Sequence, residues 1–271
     1  LPLAAIRSQI ASALDVMIHL GRERNKKRRV FWIVEVDGYE EGQIRLHTLY
    51  ELGEQGLEKK GEIKYTRKLQ KKIPSDASAL NLKTGRVYTV RQYLNMLLIV
   101  SDAGSALALA EGTAGNVDDF VDMMNDKAEE LGMKHSHFDN PVGLDKGSGY
   151  NQTYTTAADF IKVAKAAMEE PVIARIVAKH KYKVQPVGVK KSFMIKNTNA
   201  FYGTYKKLVK NRKYKIIGSK TGTTRAAGHC LVATAVDEEG NTVICAFYGN
   251  GGYERLYKDI RKLLDYAFAR Y

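Results

Sequence analysis

The residues most informative about the fold are YKIIGSKTGTT, residues 214–224. They predict a β-strand that ends in a Lys-Thr-Gly triplet. Two apolar runs follow within residues 228–249, and the turn residues Glu239-Gly240 between them predict a hairpin. Residues 253–271 then predict a terminal helix. We therefore expect the end of the chain to form an antiparallel sheet with a helix beside it.

The middle of the chain has helical periodicity instead. Residues 88–100, YTVRQYLNMLLIV, predict a helix with Thr89 as its N-cap and an end near Ser101. Three further helices are expected, within residues 105–115, 117–131 and 154–169. Helices followed by antiparallel strands predict an α/β fold of the α+β kind, with a helical layer on a mainly antiparallel sheet.

The beginning of the chain follows another pattern. Residues 1–24 predict an amphipathic helix, with Ile6, Ile10, Leu14, Met17 and Ile18 at helical spacing. Residues 28–52 alternate, with Asp-Gly at 37–38 and Glu-Glu-Gly at 40–42 as turn residues, and predict a strand, a turn and a second strand. Residues 53–62, GEQGLEKKGE, are rich in glycine and charge. We expect a small unit at 1–52, a junction at 53–62 and a larger domain at 63–271.

The composition limits the possible partners. A chain with 44% hydrophobic and 27% charged residues is typical of a globular protein. No apolar run reaches the roughly 18 to 20 residues of a membrane-spanning helix, so no transmembrane segment is expected. The net charge of +13 could attract nucleic acid, anionic lipid or an anionic wall polymer. The basic clusters follow no nucleic-acid-binding motif, so we expect a solvated basic surface and no nucleic acid.

Candidate metal ligands are few. His135 and His137 could share a metal ion, but no second pair of ligands with suitable spacing accompanies them. We expect neither a metal site nor a cofactor.

The Lys-Thr-Gly triplet is the clearest chemical signal. Lys220 offers an ammonium group for a carboxylate, Thr221 offers a hydroxyl group, and Gly222 lets a substrate lie against the strand edge. The same triplet occurs at 83–85, before a predicted helix, where it indicates a turn. The later copy is therefore the candidate site.

Residues 63–271 resemble the D-alanyl-D-alanine carboxypeptidases of the serine penicillin-binding-protein superfamily, peptidase family S11. The resemblance is carried by GNVDDFVDMMNDKAEELGMKHSHFDNPVGLD (115–145), NTNAF (197–201), GSKTGTT and the ending LLDYAFARY. It implies a β-lactamase/transpeptidase-like fold. It also implies that the protein works outside the cytoplasmic membrane. It also implies a serine acylated by peptidoglycan stem peptides ending in D-Ala-D-Ala, and by β-lactams.

The resemblance also implies the site residues. Ser101 falls on the serine of the family's Ser-x-Asn element and is the candidate catalytic residue, because that hydroxyl relays protons. Ala103 falls on the asparagine and makes the motif degenerate. Lys220, Thr221, Gly222 and Thr223 are the candidate substrate-binding residues. An ordinary turn between helices is the alternative interpretation of residues 101–103.

The family's Ser-x-x-Lys nucleophile motif occurs nowhere in the sequence. In its place, residues 1–52 resemble the C-terminal end of a tight-adherence pilus or secretion ATPase, without a phosphate-binding loop. These features predict a truncated, fused and inactive carboxypeptidase. A non-catalytic module that binds peptidoglycan peptides or pilus machinery is the alternative. Lacking a leader peptide, the chain as written is expected in the cytoplasm.

Overall fold

The computed structural model describes residues 5–7, 9, 13–14, 16–22, 28–40, 43–53, 56–59, 61–145 and 153–270. The chain divides into two compact units, Leu1–Glu62 and Ile63–Tyr271. The first unit contains a four-stranded antiparallel sheet in the order β1-β2-β3-β4. Its strands are β1 (Val16–Arg22), β2 (Arg28–Glu40), β3 (Gln43–Gly53) and β4 (Gly56–Lys59).

The first unit corrects two predictions and extends a third. The hairpin expected at 28–52 is confirmed as β2 and β3. The Asp-Gly turn predicted within it is wrong, because Asp37 and Gly38 lie inside β2, where the register shifts between Val36 and Tyr39. The helix expected over 1–24 is wrong in its second half, because Met17 and Ile18 lie in β1. Val16, Ile18 and Leu20 also fit the two-residue period of a strand, and pairing with β2 selects that alternative. The segment 53–62, expected as a junction, contains β4, which pairs with β3.

The second unit begins with a helical layer. Its elements are β5 (Glu62–Lys64), α1 (Arg67–Lys71), β6 (Val87–Thr89), α2 (Val90–Val100), α3 (Ala103–Ala114), α4 (Val117–Glu130), α5 (Ala157–Glu169), α6 (Pro171–Val177), β7 (Lys181–Val184) and β8 (Phe193–Lys196). Strands β5 and β6 pair with each other, α2 packs on α3, and β7 and β8 form a hairpin after α6.

A three-stranded antiparallel sheet completes the second unit. Strands β9 (Tyr214–Thr224), β10 (Gly228–Asp237) and β11 (Thr242–Asn250) lie in the order β11-β10-β9. Before them come a 3₁₀ turn, Ala200–Tyr202, and helix α7 (Lys206–Val209). The terminal helix α8 (Tyr253–Phe268) packs on β10 and β11. The predicted strand, hairpin, terminal helix and α+β class are thus confirmed.

Two apolar cores hold this unit together. One surrounds α2, where the fully buried side chains include Tyr93, Met96 and Ile99. The other lies between α8 and one face of β10, which contributes Leu231, Ala233 and Ala235. Because side chains alternate along a strand, Val232 and Thr234 of β10 lie on the opposite face, toward α5 and α6. No helix in the described part of the chain is long and apolar enough to span a membrane.

The predicted start and end of α2 are confirmed. Thr89 and Gln92 form a reciprocal capping box, which satisfies two backbone donors at the helix start. The helix ends at Ser101, in the left-handed conformation with φ 58°. Asp102 then caps α3 and is almost completely buried. One carboxylate oxygen accepts hydrogen bonds from the Ser105 N–H at 2.8 Å and the Ser105 hydroxyl at 2.5 Å, and the other accepts from the Leu80 N–H at 2.7 Å.

We predict that Asp102→Ala destabilises the second unit by about 2 to 4 kcal/mol, because it leaves two N–H groups without their acceptor. Trp32 is the only tryptophan and lies in the first unit, so fluorescence would report on the wrong region. Amide hydrogen exchange of peptides covering α2 and α3 measures the effect directly. Asp76→Ala removes an exposed carboxylate and is the matched control. Equal losses of protection in both variants would contradict the role of Asp102.

Candidate active site

The site begins at the joint between α2 and α3. The Ser101 N–H donates to the Leu97 carbonyl at 3.0 Å, and the Asp102 N–H donates to the Met96 carbonyl at 3.3 Å. These bonds close the end of α2 while Ser101 occupies the left-handed region, which non-glycine residues seldom adopt. The backbone is thus held in one sharp turn, and the partly exposed Ser101 hydroxyl has a defined position.

The second component is Lys220 of β9. Its ammonium group donates a hydrogen bond to the Ser101 hydroxyl and another to the Thr221 carbonyl at 2.8 Å. Ser101 and Lys220 are 119 positions apart in sequence and belong to different layers of the fold. Tertiary structure therefore brings together the two residues that the resemblance singles out, at the place where the helical layer meets the sheet.

The surroundings of Lys220 weaken its hold on a proton. Burial lowers the pKa of Lys220 from 10.5 to about 8, because the charged form loses hydration. The group is still predominantly protonated at pH 7, so it can pair with a carboxylate. It also releases a proton more readily than an ordinary lysine does, as an amine that relays protons requires.

Hydroxyl groups continue the site along β9. Thr221 Oγ1 lies 2.9 Å from Thr198 Oγ1, and Thr223 Oγ1 lies 3.0 Å from His229 Nδ1. The Tyr253 hydroxyl donates to the Thr198 carbonyl at 3.1 Å, and its ring lies edge-on to the His229 ring with centroids 5.6 Å apart. These contacts connect the end of β9, β10 and α8.

The edge of β9 is the remaining feature. In the part of the chain that the structure describes, β9 pairs on one side only, with β10. Gly222 is exposed on β9, directly opposite Cys230 of β10. A strand edge with free backbone groups can accept an extended peptide through main-chain hydrogen bonds. Lys220, Thr221 and Thr223 would lie beside such a peptide.

Ala103 lies at the first position of α3 and is almost completely buried. Its N–H donates to the Ser78 carbonyl at 2.9 Å. The methyl side chain offers no hydrogen-bonding group to the site. The earlier Lys-Thr-Gly copy lies elsewhere, and its prediction as a turn is confirmed: Thr84 and Gly85 form a turn, with Gly85 at φ 83°.

An apolar cavity of about 190 Å³ lies behind Lys220, between the sheet and two helices. Leu98 closes one side, α5 contributes Phe160 and Met168, and β9 and β10 contribute Gly218 and Val232. The cavity is smaller than the roughly 300 to 1,000 Å³ of pockets for drug-sized ligands. Its size and lining suit apolar side chains of a packing segment better than a separate ligand.

Comparison with solved structures defines the class. A crystal structure of a Streptomyces DD-transpeptidase matches 77% of this chain and 79% of its own, with 27% identity and a TM-score of 0.67. The crystal structure of a D-alanyl-D-alanine carboxypeptidase from Mycobacterium tuberculosis matches 77% of this chain and 74% of its own, with 29% identity and a TM-score of 0.65. The fold is that of these penicillin-binding-protein relatives.

The sequence comparisons specify the family. The family model described as D-alanyl-D-alanine carboxypeptidase, peptidase family S11, matches residues 43–250. D-alanyl-D-alanine carboxypeptidase DacF of Bacillus subtilis is 30% identical over 216 residues, which are 78% of this chain and 52% of the relative. This chain belongs to the D-alanyl-D-alanine carboxypeptidase family, and it spans about half the length of that relative.

The family match begins at residue 43, within the stretch that resembles a pilus ATPase, and includes the whole of 53–62. A second relative, DacB2 of Mycobacterium tuberculosis, is 33% identical over 197 residues, 72% of this chain and 63% of its own length. The ATPase resemblance of residues 1–52 stays a prediction.

Several residues of the site were not singled out from the sequence. The sequence assigns no role to Asp102, which lies between Ser101 and Ala103, or to Thr198, which lies in the NTNAF segment. His229 and Tyr253 were missed completely. The polar residues that follow a helix and precede the next one could have indicated Asp102 as a cap. No local pattern could have indicated the contact of Tyr253 with Thr198, because the two residues are 55 positions apart. His229 lies only six positions from Thr223, and the pairing of β10 with β9 brings the two together.

We predict that Lys220 titrates near pH 8 in the folded protein. Trace labelling of the chain with acetic anhydride between pH 6 and 11, read by mass spectrometry, should give Lys220 a midpoint about two pH units below that of a single-lysine model peptide. Because the unfolded chain binds more protons between pH 8 and 10.5, Lys220 adds stability as the pH rises through that window. A labelling midpoint above pH 10 would contradict this prediction.

Proposed function

We propose that this chain binds peptidoglycan stem peptides ending in D-Ala-D-Ala along β9, and that the 271-residue chain does not hydrolyse them. The contact between Ser101 and Lys220 carries this proposal, because it joins in one site the two motifs that the family resemblance implies. The chain keeps the substrate side of a carboxypeptidase. The serine that is acylated in the family's reaction has no counterpart in a Ser-x-x-Lys motif of this sequence.

The peptide would add to the sheet as an extended strand. Main-chain groups on the free edge of β9 supply affinity without regard to side chains. Gly222 carries no side chain that would hold the peptide away from this edge. The edge therefore supports binding of a short extended peptide.

The terminal carboxylate would lie near Lys220 and the threonine hydroxyls. Charge-assisted hydrogen bonds from an ammonium group are about twice as strong as neutral ones, and they gain further strength in a partly buried site. Thr221 and Thr198 place a second donor group beside the ammonium group. A free carboxylate at the end of a peptide fits this arrangement better than an internal peptide bond does.

Catalysis would need a nucleophile from another segment. We infer that an apolar helix carrying Ser-x-x-Lys would fill the 190 Å³ cavity with its apolar side chains and bring its serine toward Ser101 and Lys220. Ser101 would then pass protons between the reacting groups and Lys220, in the role that the family resemblance implies. The apolar lining of the cavity supports this inference, since apolar surface that no protein group covers favours a packing partner.

Without such a segment the site is a non-catalytic binding module, which is the function proposed for the 271-residue chain. The observation that favours it is the sequence itself, which keeps Lys220, Thr221 and Gly222 but replaces the motif asparagine by Ala103. The two functions differ in whether a covalent intermediate forms, which penicillin reports.

We predict that Lys220→Gln weakens binding of diacetyl-L-Lys-D-Ala-D-Ala by tenfold to a hundredfold, because a charged hydrogen bond contributes about 1.5 to 3 kcal/mol. Isothermal titration calorimetry on the full chain measures this. Lys83→Gln alters the other Lys-Thr-Gly triplet, which is exposed in a turn, and should leave the affinity unchanged. Equal affinities of the two variants would contradict the assignment of the peptide site to β9.

We predict no covalent adduct when the chain is incubated with a fluorescent penicillin and its intact mass is measured. Replacing residues 1–62 by a family N-terminal segment with Ser-x-x-Lys should give an adduct and release of D-Ala. Adding Ala103→Asn should then raise the rate of release by about tenfold to a hundredfold, if the restored amide contributes 1 to 3 kcal/mol.

Two outcomes would contradict this mechanism. A stoichiometric adduct on Ser101 of the unaltered chain would show that Ser101 is itself a nucleophile. In the repaired protein, Lys220→Ala without any change in D-Ala release would show that the late Lys-Thr-Gly triplet does not serve the reaction.

A further inference from the structure

The positive charge of the protein is concentrated in one segment. Residues 171–236 contain fifteen of the chain's 43 lysine and arginine residues and no aspartate or glutamate. The other 28 basic residues are nearly balanced by the 30 acidic ones. The net positive charge therefore lies in the part of the fold from α6 to β10. This part includes the β7–β8 hairpin and β9, the strand proposed to bind the stem peptide.

The β7–β8 hairpin displays part of this charge on one face. Lys181 lies directly opposite Lys196, and Lys183 lies directly opposite Met194. Residues paired across antiparallel strands lie on the same face, so these four side chains form one surface, and all four residues are exposed. We call Lys181, Lys183 and Lys196 the lysine face. The other face of the hairpin carries Val184 and Ile195 into the core around α2.

The lysine face is electrostatically unfavourable by itself. Like charges directly opposite each other across two strands destabilise a sheet. Within the residues that the structure describes, none of the three lysines forms a salt bridge. An anionic partner would relieve this repulsion between the lysines. Without such a partner, the cross-strand lysines do not stabilise the hairpin.

The lysine face also lies next to the candidate peptide site along the chain. Strand β8 ends at Lys196, and two residues later Thr198 contacts Thr221 of β9. The Asn197 N–H donates to the His180 carbonyl at 2.9 Å, which closes the base of the hairpin at this point. A partner bound on the lysine face would therefore be held close to a peptide on β9.

We propose that the lysine face binds a linear phosphodiester polymer, and that this contact holds the protein on an anionic polymer of the cell wall while β9 receives a stem peptide. The charge complementarity is direct, since lysine binds phosphate as a mobile point charge and needs no fixed geometry. The polymer contact is separate from the proposed peptide binding, and only its link to a stem peptide on β9 rests on that proposed function.

A polymer fits this surface better than a lipid bilayer does. Surfaces that insert into the membrane interface combine basic residues with a broad apolar face that includes tryptophan, phenylalanine or leucine. Met194 is the one large apolar side chain on the lysine side of the described hairpin strands. Three lysines around one methionine attract anions but offer little apolar area to a membrane.

The test uses the full chain and a fluorescein-labelled glycerol phosphate decamer, with binding measured by fluorescence anisotropy. The triple variant K181Q/K183Q/K196Q should bind at least tenfold more weakly in 50 mM NaCl. The control variant K206Q/K207Q/K210Q removes the same charge from exposed lysines of the same segment, and should change the affinity by less than about threefold. For three phosphate contacts, raising NaCl from 50 to 200 mM should weaken wild-type binding roughly twentyfold.

The outcomes separate the possible partners. Equal losses in the two triple variants would overturn the proposal, because binding would then follow net charge alone. Poly-L-glutamate that binds as tightly as the decamer would also overturn it, as would vesicles with 30% phosphatidylglycerol that compete at equal charge. An unchanged melting temperature of K181Q/K183Q/K196Q shows that the variant is folded. The affinity of the same variant for diacetyl-L-Lys-D-Ala-D-Ala tests the peptide site separately.

Discussion

The buried carboxylate of Asp102 is the constraint on which the site depends. It accepts three hydrogen bonds, from Leu80 and from the backbone and side chain of Ser105, and so fixes where α3 begins. The α3 start in turn forces the chain to leave α2 through the left-handed turn at Ser101. A hydroxyl group held in this way costs little further ordering when a substrate arrives, which is the benefit of a preorganised site.

The turn at Ser101 also connects the two apolar cores of the second unit, which share no residues. Ser101 follows the helical core around α2, and Lys220 belongs to the sheet that packs on α8. Their hydrogen bond joins the two layers at a point where burial lowers the pKa of Lys220 to about 8. A substrate bound at the edge of β9 would therefore contact residues of both the helical layer and the sheet.

Much of the second unit could be predicted because its signals are local. The Thr89 cap, the helices after it and the strand before Lys220 each depend on residues close in sequence. Residues 1–24 show the limit of such signals, because the same apolar residues fit a helix and a strand until β2 pairs with β1. Membership of the carboxypeptidase family was predicted from the residues of the matching segments, and the family match over residues 43–250 confirms it.

The amino-acid sequence is enough to predict the family, the α+β class and the late Lys-Thr-Gly strand, and to show that these residues contain no Ser-x-x-Lys motif. The contact of Lys220 with Ser101 appears only in the folded chain. The same holds for the contacts of Thr198, His229 and Tyr253 at the end of β9 and for the apolar cavity behind Lys220. The reason is physical: helix caps and strand periods act over a few residues, whereas the burial and pairing of polar groups depend on neighbours that only folding supplies.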